Sequence, residues 1–176
     1  IWPLLAGLSC LTASLVLSSY GDELTQSPAS VTTAYLVKSS ISTALGAGLL
    51  GAVTAAMLLG HRYLTDTDMP IIPLRRLALI YLCVHSARVL WTALAGIPLW
   101  MGSIPLPRDV TWFWLIVCVR VGVGLVMSSI FAAMAWDCVK RRATQSATAI
   151  FYLSMVFVFI GELAAQYLAR RYALAM

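Results

Sequence analysis

The chain has 176 residues, of which 61% are hydrophobic and only 11% charged, with a formal net charge of +5. A mean hydropathy of +0.88 lies far above the range of water-soluble domains and excludes them. The basic residues sit at the ends of apolar runs, where membrane surfaces favour them, so the positive charge does not point to nucleic acid as a partner.

The expectation is an all-α, polytopic integral membrane protein, a single transmembrane domain over 1–176. About 20 apolar residues cross a hydrocarbon core about 30 Å thick, so the chain accommodates a bundle of about five helices. The predicted spans are 2–19, 37–60, 77–97, 110–136 and 147–169. The first begins Ile1-Trp2-Pro3 with no methionine and no basic lead, which reads as a processed or trimmed start. Residues 20–36, with Gly21, Asp22, Glu23 and Pro28, break the apolar run and read as a loop.

The second span is dense in small residues. Ala44, Gly48 and Ala52 recur at four-residue steps with Ala47, Gly51 and Ala55 beside them, which predicts a flat face for close helix packing. Residues 61–76 mix charge with Pro70 and Pro73 and read as a polar loop. The third span carries His85 and Arg88 near its middle, and Pro98-Leu99-Trp100 through Pro105-Leu106-Pro107-Arg108-Asp109 read as the next connection. A fourth span opens with Trp112, Phe113 and Trp114, carries Arg120, and stops before Lys140-Arg141-Arg142. The fifth contains Glu162 and Gln166 and closes with Arg170 and Arg171.

Orientation follows from Lys and Arg at the span ends. Six (Arg62, Arg75, Arg76, Lys140, Arg141, Arg142) stand against four on the other side (Lys38, Arg108, Arg170, Arg171), which places the 61–76 and 138–146 loops in the cytoplasm.

A charged side chain near the bilayer centre costs about 2.5–3.5 kcal/mol on insertion scales and is rarely kept without a partner. Counting helical rise from the span ends puts Arg88, Arg120 and Glu162 at a similar depth, and predicts that Glu162 pairs with one of the two arginines. One carboxylate cannot neutralise two guanidinium groups, so one positive charge is left over. The candidates to answer it are backbone carbonyls near Gly122 and Gly124, another subunit, a lipid phosphate, or the polar head of a quinone, pigment or anionic solute. His85 and Gln166 are candidate proton or ligand contacts, each one turn from a buried charge.

No cofactor or metal is predicted. Haem normally asks for two axial ligands, and the only other histidine, His61, lies at the far end of span two. Cys10, Cys83, Cys118 and Cys138 are scattered singly, without metal-ligand spacing. The chain also shows no nucleophile with a base, no paired carboxylates on one helix and no phosphate loop, so it does not read as an enzyme.

Arg88-Val89, Ile97-Pro98-Leu99-Trp100 and Gly161-Glu162-Leu163 are similar to pieces of the membrane anchor subunits of dimethyl-sulfoxide-reductase-type enzymes. Those pieces cover a small part of the chain, stand closer together than in that family, and carry over no residue role. The resemblance implies a respiratory or other electron-transfer membrane subunit, including a quinol-interacting anchor. The residues themselves point to a non-catalytic subunit or scaffold with other membrane subunits and lipids as partners, the alternative being a small transporter or channel for an ion or anionic solute.

Overall fold

The computed structural model describes residues 33–65, 70–102 and 107–172, and every regular element among them is helical. Helix α1 runs Thr33–Thr65 and α2 runs Ile72–Trp100. Next, α3 (Val110–Cys118), a π-helical segment (Val119–Met127) and α4 (Ser128–Lys140) follow one another without a break. Helix α5 runs Thr144–Tyr172. Counting α3, the π segment and α4 as one rod, four helices are long and apolar enough to cross a membrane. The described part of the chain is therefore a multi-pass membrane bundle of four spans, where the sequence predicts about five. The remaining predicted span, 2–19, lies outside the described residues.

Each rod is longer than its predicted span, and in α2 this is because its prolines do not stop the helix. Pro73 occupies the first turn of α2, where its missing N–H has no helical partner to lose. The residues before it, 61–65, continue α1 rather than joining the loop. Pro98 lies inside the last turn of α2, and the helix ends only at Trp100, closed by Met101 N–H on Ile97 O and Gly102 N–H on Leu99 O. Gly102 sits at φ +66, the left-handed conformation that glycine adopts without a Cβ penalty. At the α1–α2 corner the Tyr63 hydroxyl donates to the Pro70 carbonyl. Tyr63→Phe is expected to lower stability by about 1 kcal/mol in an SDS unfolding titration; no shift would show that the bond adds nothing to the corner.

The rods pack as a ring. α1 lies against α2 and α5, α2 against α4, and α5 against the π segment and α4. Helices α1 and α5 bury a stripe at alternating steps of three and four, the 3.5-residue seam of left-handed helix packing, and α2 departs from it only at Arg88–Thr92–Gly96. On α1 it is Ser39, Ser42, Gly46, Leu49, Val53, Ala56, Gly60 and Tyr63. On α2 it is Leu74, Ala78, Tyr81, His85, Arg88, Thr92, Gly96 and Leu99. On α5 it includes Ala147, Phe151, Ser154, Val158, Gly161, Ala165 and Leu168.

Lipid reverses the usual sorting of residues. Leu58, Leu90, Leu94, Val126, Val156 and Leu163 face outward, while His85, Arg88, Arg120, Ser154 and Glu162 are inside. With hydrocarbon outside, apolar side chains gain little by hiding, and polar groups find partners only within the bundle.

The predicted small-residue face on the second span is divided by this packing. Ala52 and Ala55 are buried, Ala47 and Gly51 are partly covered, and Ala44 and Gly48 are on the outside. The neighbouring stripe through Ser42, Gly46 and Leu49 is the one that turns inward.

Candidate functional site

Glu162 of α5 is the point where all four rods meet. Arg88 of α2 grips it with two parallel bonds, Nε to Oε1 at 3.0 Å and Nη2 to Oε2 at 2.8 Å. Arg120, from the π segment, donates Nη1 to Oε1 at 3.0 Å. Side-chain exposure is 1% for each arginine and 6% for the carboxylate. The two-bond grip suits a planar guanidinium on a planar carboxylate and fixes both in orientation.

Two of the remaining donors go to hydroxyls. Arg88 Nη1 donates to Ser42 Oγ on α1 at 2.8 Å. Arg120 Nη2 donates to Thr92 Oγ1 on α2 at 3.3 Å, and that hydroxyl donates to the Arg88 carbonyl at 2.9 Å. Ser42→Ala is expected to cost about 1.5–3 kcal/mol, the range for a bond to a charged group, as read from the shift of the SDS unfolding midpoint. A shift well below 1 kcal/mol would mean that Arg88 finds another acceptor.

Three glycines make room for this. At Gly46 of α1 any Cβ would overlap Glu162 Oε2, so the α1 backbone passes directly against the carboxylate. Gly124 of the π segment and Gly161 of α5 face each other so closely that a Cβ on either would overlap the backbone of the other. That crossing lies beside Glu162 on one helix and one turn from Arg120 on the other, and it brings their side chains within bonding range.

The π segment serves the same end. Along this rod the buried positions Arg120, Gly124, Ser128 and Ala132 follow at successive steps of four. An ordinary helix would carry such a row steadily away from a straight seam, whereas wider π turns keep it facing inward. The exit from the segment is tied by hydroxyls: Ser128 donates to the Gly124 carbonyl, and Ser129 Oγ donates to the Leu125 carbonyl at 2.7 Å.

Arg88, Arg120 and Glu162, predicted to share a level, are thus joined in one cluster that spans the bundle. His85 stands one turn away on α2 and is buried, but it bonds to Ser129 Oγ through Nε2 at 2.8 Å rather than to the cluster. Because Ser129 gives its own proton to Leu125, the ring nitrogen is the donor of that pair. His85 Nδ1 and Arg120 Nε have no hydrogen-bond partner among the described residues. Gln166 is partly exposed and lies outside the hydrogen-bonded cluster. Among the described residues no group of histidine, cysteine and acidic side chains could hold a metal ion.

Sequence reasoning passes over Ser42, Gly46 and Ser129, and reads Thr92 only as part of a polar stripe with His85, Arg88 and Trp91. Their signal is positional: Thr92 follows Arg88 by four residues on one helical face, and Ser42 precedes Gly46 by four. Serine, threonine and glycine are common in spans, so spacing alone does not separate these from their neighbours.

No protein-family model, curated protein or solved structure matches the chain. Its class rests on the fold and cluster alone: a multi-pass helical membrane bundle closed around a buried Arg–Glu–Arg centre.

Proposed function

We propose that the chain is a non-catalytic membrane subunit or scaffold within a larger membrane complex. The observation that carries this reading is the Arg88–Glu162–Arg120 cluster, closed inside the bundle and bonded to all four rods. Such a centre locks helices in register and holds a fixed shape for neighbours to dock on. The outward small-residue positions Ala44 and Gly48 of α1 offer another span a close approach on that shape. The resemblance of Gly161-Glu162-Leu163 and its companions to respiratory anchor subunits makes an electron-transfer complex, including one whose anchor meets quinol, the first place to look.

Extraction of the native membrane in a mild detergent, followed by affinity capture, tests this. The expected result is co-purification with other membrane polypeptides in fixed ratio. Recovery as a lone chain that moves a solute into liposomes would overturn it.

A second reading draws on the surplus positive charge at the cluster and the unpartnered Arg120 Nε. In it the bundle is a small transporter or channel and Arg120 lies on the path of an anion. Arg120→Met would then abolish uptake of a labelled anion by liposomes holding the chain alone.

The same scaffold reading keeps the 61–76 and 138–146 loops in the cytoplasm, on the six-to-four excess of basic residues at that end. Labelling of a cysteine introduced at Arg142 from one side of sealed vesicles decides it.

A further inference from the structure

We infer that the end of the bundle formed by the start of α2 and the corner between α4 and α5 is a binding site for the phosphate headgroup of an anionic phospholipid. Arg75 ends the first turn of α2 with Arg76 next to it, and Lys140, Arg141 and Arg142 close α4. All five are exposed, and Arg62 at the end of α1 adds a sixth. Among the described residues at this end the one acid is Asp137, which Arg141 Nε already meets at 2.8 Å, so five of the six cations have no acidic partner there.

Three local features place unbalanced positive charge at this end, and an anion offsets that charge. The first turn of a helix carries the positive end of its dipole and favours acidic residues, yet α2 has none there and ends that turn with Arg75, followed at once by Arg76. At the α4 end, Arg142 N–H bonds to Val139 O and Ala143 N–H to Cys138 O, a Schellman closure. Its left-handed position is held by Arg142 at φ 59, where glycine or asparagine normally sits. Finally, Arg75 and Lys140, from different helices, both approach the Trp136 ring, each 5.9 Å from its centroid. The indole thus gathers two like charges from different helices, and an anion beside it would be attracted by both.

Position selects a lipid as the bearer of the anion. The cations lie at the ends of apolar spans, beside an interfacial tryptophan. On the same two helices, one or two turns further into the membrane, Leu79, Ile80, Ile130 and Met134 are exposed. A headgroup at Arg75 and Lys140 therefore has apolar surface directly beneath it for its acyl chains.

The full chain in vesicles of phosphatidylcholine with either brominated phosphatidylglycerol or brominated phosphatidylcholine provides the test. The signal is the fluorescence component that Trp136→Phe removes. Brominated phosphatidylglycerol is expected to quench it at a severalfold lower lipid fraction. Arg75→Gln with Lys140→Gln should abolish that preference, since each cation near the surface is worth up to about fivefold in affinity for anionic lipid. Arg170→Gln with Arg171→Gln, which removes the same charge at the opposite end, should leave the preference unchanged, and so should added inorganic phosphate. Equal quenching by the two lipids overturns the proposal, and so does an unchanged preference in the Arg75/Lys140 variant. Loss of the preference in the Arg170/Arg171 variant, or on adding phosphate, overturns it as well, by assigning the effect to overall charge or to a free anion.

Discussion

Glu162→Gln is expected to destabilise the bundle by about 3–5 kcal/mol, a large share of the stability a domain of this size possesses. The substitution leaves Arg88 and Arg120 facing each other in a low-dielectric interior with no counter-charge, since both are 1% exposed and both rely on the same carboxylate. The cluster carries one more positive than negative charge, so its members are not equivalent. Arg120→Met removes the surplus and leaves Arg88 in its two-bond grip, and its effect should be the smallest of the three. Arg88→Met should fall between, because it forfeits two bonds to Glu162 and one to Ser42. Replacing all three with Arg88→Met, Arg120→Met and Glu162→Leu should recover most of the loss, as apolar residues in place of buried ion clusters do elsewhere. SDS unfolding titrations of the four variants give the order directly. If Arg120→Met proves as damaging as Glu162→Gln, the cluster is not short of negative charge.

The second large effect belongs to the crossing of the π segment and α5. Gly161→Val is expected to cost about 3 kcal/mol or more, at the upper end of overpacking, because its side chain meets Gly124 backbone rather than a movable side chain. Pushing these helices apart also draws Arg120 away from Glu162, so the steric loss and the electrostatic loss coincide. Gly51→Ala is the matched control. Nothing lies within 4 Å of its Cβ position, and alanine is the better helix former, so stability should hold or rise slightly. Equal losses at Gly161 and Gly51 would mean that the close crossing is not what holds the helices.

The common depth of Arg88, Arg120 and Glu162 is readable in the sequence because helical rise turns residue number into distance along the bilayer normal. Which side chains complete the cluster is not. Ser42 and Thr92 are hydroxyl residues among many, and only the rotation of each helix about its axis brings them to the arginines. Helix rotation also decides that Gly46 rather than Gly48 turns inward on α1, where small residues lie on several overlapping faces. The π segment leaves no composition signal either; Gly122 and Gly124 permit it, but the reason for it is the phase of the buried row on both sides. Helix ends differ from their predicted places at Pro73 and Pro98, because proline at a first turn or in a last turn does not stop a helix.

The surplus charge at the centre of the bundle has an electrical consequence. Arg88 lies 12 residues from the end of α2 at Trp100, about 18 Å along a rod whose full length is about 43 Å. A unit charge that crosses the whole membrane exchanges about 2.3 kcal/mol for every 100 mV. Held near half that depth, the cluster's one uncompensated charge exchanges about half as much with the transmembrane voltage. The resting potential of the host membrane therefore acts on the same energy scale as a single hydrogen bond in this protein, pulling the cluster toward the negative face, and folding measured in detergent omits that force.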